Sequence, residues 1–225
     1  MYLLPCPYED NLLEELPGGV VIKQLGTQRV VEYTKFVFRI YRERFAEEAS
    51  WSGTAGELDD MVKKEVGTAS HGVFIVAETS SGEILSGLRA LRYHYGVSFL
   101  TESVFGISPA SVAQALGVGL SQVWHGSQLA MDREVIRRNS IQSRALIKRL
   151  FVHAFCAIQG YNGRLILGET DQYSERWYLS YGIRWRPLTG YRQNIGWDRA
   201  SVLDLEEAKA TPRFREIFGA EVLAS

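Results

Sequence analysis

Apolar residues at three- and four-residue steps mark one long helix in the second half of the chain. Ile147, Leu150, Phe151, Ala154, Phe155 and Ile158 make a single stripe, with Lys148, Arg149 and Gln159 off it. The pattern predicts a helix from Ser140 to Gln159, opened by Asn139 or Ser140 as a cap and closed by Gly160. Apolar runs of strand length flank it. Gln122 to Asp132 comes before, joined through the basic connection Arg133 to Asn139, and Arg164 to Gly168 follows the turn Gly160-Tyr-Asn-Gly163. Strand, helix and strand in that order form a crossover, so the two strands are expected to be parallel.

The same reading orders the rest of the chain. Residues 1–19 hold Pro5, Pro7, Pro17 and Gly18-Gly19 and read as an irregular lead-in. Val20 to Leu25 is a strand. Thr27 caps a helix running to about Glu48, with Val30, Tyr33, Val37, Ile40 and Tyr41 as its stripe. Ser50 to Gly56 is a loop and Glu57 to Val66 a shorter helix. Gly72 to Thr79 and Ile84 to Arg92 are strands joined by Ser80-Ser-Gly82, a hairpin signal. Ser98 to Gly119 is apolar and rich in small residues, with Ser108-Pro109 reading as a cap and a first-turn proline. Tyr173 to Tyr181 is helical and Gly182 stops it; Gly190 to Asn194 and Ser201 to Leu205 are strands, and Thr211 to Ser225 a short helix. The predicted fold class is mixed α/β, a partly antiparallel sheet flanked by helices, as one domain over residues 1–225.

A chain of 225 residues can bury one substantial core. Its formal net charge of -1 argues against a general nucleic-acid binder while leaving room for a local basic patch. Cys6 and Cys156 fit no metal spacing and read as thiols of a reducing compartment. No apolar run approaches the roughly 20 residues of a membrane helix. The opening, Met1 to Cys6, lacks the basic and apolar segments of a secretory signal. The chain is therefore expected to be cytoplasmic, with no nucleic-acid partner and no membrane span. His71, His94 and His153 lack an i, i+4 pairing, so no metal is expected.

Charge gathers where the long helix begins. A helix N-terminus offers free N–H groups and partial positive charge, and so suits an anion. Arg133, Arg137, Arg138, Arg144, Lys148 and Arg149 cluster there against only Glu134. Two readings stand side by side, a docking patch for an acidic partner and an ordinary solvated helix face.

The order of elements resembles the GNAT acyltransferase fold from about Val20 to Leu205. Three features carry the likeness: the strand, basic loop and helix at 122–159; Tyr178-Leu-Ser-Tyr-Gly-Ile183, like the family's Tyr-x-x-x-Gly-Phe ending; and Ile84-Leu-Ser-Gly87, like its third strand. A narrower resemblance is to the autoinducer (acyl-homoserine-lactone) synthases and long-chain N-acyl amino acid synthases. It rests on Tyr41-Arg-Glu-Arg-Phe45 followed by Trp51, and on Phe99-Leu-Thr-Glu-Ser-Val-Phe105 before the central strand. That group's central strand carries Glu-x-Ser/Thr-Arg-Phe. Here it reads His125-Gly-Ser-Gln-Leu129, without the carboxylate and guanidinium that help handle the S-adenosylmethionine amine. Asp59-Asp60 loosely echoes the group's paired aspartates.

The resemblance implies an N-acyltransferase. A medium or long acyl group would pass from an acyl carrier protein or coenzyme A thioester to a small amine, with no tightly bound cofactor. The acceptor stays open between an amino acid, S-adenosylmethionine and another amine, and the product is a candidate signalling lipid. A short-chain, acetyl-CoA-dependent N-acetyltransferase and a non-catalytic binding module are the alternatives.

Individual residues follow from the resemblance and from the chemistry. Leu129, Ala130, Arg133, Arg137, Arg138, Asn139, Ser140, Ser143 and Arg144 fall where the family binds its donor. Ser140 and Gln142 stand where glycines usually let the backbone approach a diphosphate, which favours the single phosphate of a carrier-protein arm. His125 could take the amine's proton, with Glu102 and Glu169 as rival bases, and Tyr178 could protonate the leaving thiolate. A bulge at Gly126 would turn His125 and Gln128 to one face and free an N–H near Leu129 or Ala130 for the thioester oxygen. Phe45, Trp51 and Gln128 are candidates for the acceptor side; Phe99, Leu100, Val104, Phe105 and Leu116 for an acyl pocket. Structural readings accompany each: a satisfied sheet histidine, a packed helix aromatic, ordinary core.

Overall fold

The computed structural model describes residues 6–46, 51, 53–94, 96–194 and 196–223. The first elements are β1 (Asn11–Leu16), β2 (Val20–Gln24), α1 (Val30–Phe45), α2 (Ala55–Thr68), β3 (Gly72–Thr79) and β4 (Ile84–Arg92). Then come α3 (Leu100–Ser103), α4 (Pro109–Ala115), β5 (Val123–Met131), α5 (Arg133–Arg138), α6 (Ser143–Gly160) and β6 (Leu165–Asp171). The chain continues through α7 (Gln172–Ser180), β7 (Arg186–Pro187), β8 (Arg192–Gln193), β9 (Trp197–Asp204), α8 (Leu205–Ala210) and α9 (Pro212–Leu223). The sequence places the end of α1 at Glu48, which lies outside the described residues.

Local chemistry sets the boundaries. Glu57 N–H donates to the Thr54 hydroxyl while the Glu57 carboxylate accepts from Thr54 N, so α2 opens two residues before the predicted Glu57. Ser108 caps α4 through Ser111 N–H with Pro109 in the first turn, as the sequence reads. Gly182 ends the α7 region at φ 75, and a Cβ there would lie 2.7 Å from the Phe214 nitrogen. No other residue fits both demands.

Four departures have physical reasons. The lead-in is not irregular throughout, because Asn11–Leu16 pairs antiparallel with β2 across a turn at Gly18 and Gly19, both at positive φ. The nearby prolines and glycines mask this hairpin. The basic connection is a helix, α5, capped by Asp132, whose carboxylate accepts from Val135 N at 2.9 Å. Consequently α6 starts at Ser143 rather than Ser140, and Ser140 sits at φ 55 in the turn between the two helices. Finally, β7 and α8 are too short for a periodicity to reveal, and the predicted strand at 190–194 shrinks to β8.

The chain forms two compact units, one of residues 1–90 and 128–157, the other of residues 91–127 and 158–225. In the first, the strands run in the order β1-β2-β3-β4. β3 is buried from Gly72 to Glu78, as befits an inner strand. Val30, Tyr33, Phe36 and Val37 of α1 pack with Leu25, Phe74, Val76, Ile84 and Ala130. In the second, the order is β5-β6-β9-β7, with β8 also on β9. β5 and β6 are parallel, as the crossover predicts, and β6 and β9 antiparallel. Phe99, Val112, Ala113 and Val118 pack with Val123, Leu165, Leu167 and Val202. The fold is mixed α/β with partly antiparallel pairing and flanking helices. Among the described residues no helix is long and apolar enough to cross a membrane.

Candidate active site

Strand β5 carries the two residues on which the sequence argument turns, and its halves belong to different units. Parallel pairing sets His125 beside Leu167 of β6. Side chains alternate along a strand, so Glu169 lies on the same face as Leu167. The His125 ring is 1% exposed, and its Nε2 lies 3.0 and 3.2 Å from the two Glu169 oxygens. Phe99 stacks on the imidazole, ring centroids 4.9 Å apart. His125 and Glu169, read from the sequence as rivals, form one pair. The third candidate base, Glu102, accepts from Phe99 N at 3.0 Å and so caps α3.

The same face of the second unit holds more acid. β6 and β9 set Asp171 opposite Asp198. Burial, followed by the charges of Asp171 and Glu169, pushes the Asp198 carboxyl up to about 6. Among the described residues, no group of three or more His, Cys, Asp or Glu side chains is placed to hold a metal ion.

Within β5 the backbone departs from strand geometry at Gln128, φ 57. Gly126 lets the strands come close, since a Cβ there would meet Ile166 at 2.9 Å. Gln128 has its own partners, all in the first unit. Its Nε2 donates to Glu65 Oε1 at 2.8 Å, Arg89 donates to the same oxygen at 2.5 Å, and the Tyr33 hydroxyl donates to the Gln128 carbonyl at 2.8 Å. His125 and Gln128 thus have different partners, each within its own unit. Leu129 is half-buried and Ala130 buried, the latter accepting from the Ser86 hydroxyl at 2.8 Å.

Glu65 and Arg89 are the residues that sequence reasoning missed. The signal was present: Glu65 falls on the α2 stripe of Leu58, Met61 and Val62, and Arg89 interrupts the apolar run of β4. Asp59 and Asp60, which the sequence reading marked instead, are exposed. On the same unit, Trp51 packs edge-on against Phe38 at 5.0 Å and donates to Glu57 Oε1 at 2.9 Å. Phe45 is buried, with Tyr41 edge-on at 5.9 Å and the Arg44 guanidinium over its ring.

The donor segment lies on α5, α6 and the turn between them. Arg133, Arg137, Asn139, Ser140, Ser143 and Arg144 are exposed. Arg138 pairs with Glu83 at 3.2 Å and Arg149 with Glu14 at 2.8 Å, acids from other elements. The patch is therefore narrower than the count against Glu134 alone suggests. Burial would raise Glu14, but bonds from Arg149 and His153 hold its carboxyl below the ordinary value. Ser140 adopts the left-handed conformation that a glycine would supply at this position of the loop.

Tyr178, on α7, is half-buried and sits edge-on to Trp177 and Trp185, with centroids 5.3 and 5.8 Å away. The acyl-pocket candidates divide. Phe99 and Phe105 are core residues at 1% and 3% exposure, while Leu100 and Val104 are half-buried. Leu116 lines an open groove of about 380 Å³ together with Ile107, Val112, Ala115, Arg186 and Leu188.

Sheet order, crossover and flanking helices define a GNAT-type acyltransferase fold. No protein-family model and no curated protein sequence matches the chain. Among solved structures it is similar to FeeM, an N-acyl amino acid synthase from uncultured soil microbes, with a TM-score of 0.63 and 11% identity over 85% of this chain and 94% of that one. It is also similar to the acyl-homoserine-lactone synthase LasI, with a TM-score of 0.56 and 11% identity over 93% and 95% of the two chains. A GNAT acetyltransferase of Staphylococcus aureus gives a TM-score of 0.54 and 13% identity over 83% and 99%. These likenesses establish the fold.

Proposed function

We propose that the chain is an N-acyltransferase that moves a medium or long acyl group from a thioester to the amine of an amino acid or a related small molecule. The observation that carries this reading is the fold, which it has in common with an N-acyl amino acid synthase over nearly the full length of both chains. The reaction needs an amine free of its extra proton, a partner for the oxyanion and a proton for the departing thiolate. His125 is the base. Glu169, 3.0 Å from Nε2, orients the ring for that role. Phe99 fixes the ring from one side. Tyr178 is the acid for the thiolate.

The donor in this proposal is an acyl carrier protein. The exposed Arg133, Arg137 and Arg144 suit its acidic surface, and the helix start suits its single phosphate. One observation favours coenzyme A as a second reading, since Ser140 keeps the loop in a glycine-like conformation. Thiol release by the purified chain, with decanoyl-carrier protein and decanoyl-CoA in parallel and a mixture of amino acids present, tests both. Amine-dependent release, faster with the carrier protein, is the expected result. Faster release with coenzyme A moves the donor assignment. No amine-dependent release from either donor leaves a non-catalytic binding module.

A further inference from the structure

We propose that Asp198 is a positioning residue for the reaction, its carboxylate acting through Glu169 to make His125 a stronger base, an assignment that rests on the acyl-transfer reading above. Three strands of the second unit set the geometry. β6 presents Glu169 and Asp171 on one face, two residues apart. β9 sets Asp198 opposite Asp171 and Ala200 opposite Glu169. Asp198 therefore shares that face and stands diagonally across from Glu169, within reach of a long side chain. Glu169 in turn lies 3.0 Å from His125 Nε2 on β5. The Gly196 backbone and the Asn194 side chain hydrogen-bond the Asp198 carboxylate and hold it in place.

When His125 takes the amine's proton an imidazolium forms, and nearby negative charge in a buried setting stabilises it. Glu169 supplies one such charge, and Asp198 adds another once it is ionised. Burial, then the charges of Asp171 and Glu169, raises the Asp198 carboxyl to about 6, so the second charge is present at neutrality and absent in mild acid. The remaining charged groups around it are accounted for. Arg192 of β8 lies opposite Asp198 and is exposed, so water screens it. Arg199 alternates to the other face, where it and the Tyr191 hydroxyl bond Glu175. Glu102 of α3 is bonded to Phe99 N. Holding a half-buried carboxylate ionised beside two others costs the fold stability, and costs of this kind gather where chemistry uses the charge.

The test is the ratio of wild-type kcat to Asp198→Asn kcat, taken at each pH from about 5 to about 8. The rate is amine-dependent thiol release from decanoyl-carrier protein, with the amino-acid mixture in excess. Ionisation of the amine affects both chains alike and cancels in the ratio. The ratio should be close to one at the acid end and rise through about pH 6 to about threefold to tenfold, because only the ionised carboxylate strengthens the base. A ratio that is constant with pH, whether at one or above it, overturns the assignment, since a structural role would not follow this ionisation. If Asp198→Asn does not fold, Asp198→Ser takes its place. A second readout needs no turnover. In NMR titrations of the chain labelled in its histidine rings, with His125 assigned from His125→Gln, the wild-type His125 signal should carry a step near pH 6 that the Asp198 variant lacks. Superimposable curves overturn the coupling. Absence of amine-dependent thiol release by the wild type counts against the acyl-transfer reading instead, and the NMR curves then decide whether Asp198 acts on His125.

Discussion

His125 and Glu169 come together because β5 and β6 are parallel and the side chains of both strands alternate with the same period. A sequence shows each residue but not which strands adjoin, so the pair was legible only as two separate candidates. If His125 is the base, His125→Ala should lower kcat by about 10²–10⁴-fold. Glu169→Gln should lower it less, because the imidazole remains. Steady-state kinetics on folded variants checks the order, and a Glu169→Gln loss larger than that of His125→Ala would make Glu169 the base. Tyr178→Phe keeps the packing on Trp177 and Trp185, so it should lower kcat without changing Tm; full activity would return Tyr178 to the role of a packed helix aromatic. Asp198 gives a stability test. Its folded value of about 6 lies above the ordinary value of about 4, so the folded state binds this proton more tightly than the unfolded chain. Stability is therefore lost as pH rises from about 4 to about 6 and stays lost above that. Asp198→Asn should raise Tm by about 2–4 °C at pH 7.5 and leave it unchanged near pH 4. Melting curves at the two pH values decide, and equal shifts at both would show that Asp198 is not destabilised by ionisation.

Elements with a clear period were legible in the sequence, and those held by contacts were not. β3 and β4 were read with their observed ends, and α6 within three residues at its start, because strong apolar patterns fix them. The hairpin of β1 with β2 was hidden by prolines and glycines, and α5 by its charge. The donor segment shows what the second omission changes: its arginines lie on a helix and a turn, and Arg138 and Arg149 are tied down by Glu83 and Glu14. Charge reversal at Arg133 and Arg137, both exposed, should accordingly raise the KM for the acyl-carrier-protein donor, more strongly at low salt. An unchanged KM across salt concentrations would reduce the patch to a solvated helix face. In α4 the two alanines part company. Ala113 is 2% exposed in the core, so Ala113→Phe should destabilise by about 1–3 kcal/mol. Ala115 lines the groove, and Ala115→Phe should keep stability while shortening the preferred acyl chain. An unchanged chain-length profile would separate the groove from the acyl group.

At the scale of the whole molecule, fold and composition constrain different things. Composition and a net charge of -1 exclude broad classes and name no reaction. The fold is of a kind found in N-acyl amino acid synthases, lactone synthases and acetyltransferases, which differ in donor and acceptor. What distinguishes this chain lies in its own residues: His125 paired with Glu169 where the sequence resemblance leads one to expect a carboxylate, and Gln128 held by Glu65 where it leads one to expect a guanidinium. The most direct test of the account is mass spectrometry of the products formed by the purified chain from decanoyl-carrier protein and a pool of amino acids. An N-decanoyl amino acid is expected, absent when His125 is replaced by alanine. Free decanoic acid as the only product, or an amide that forms equally with the His125→Ala chain, would contradict it.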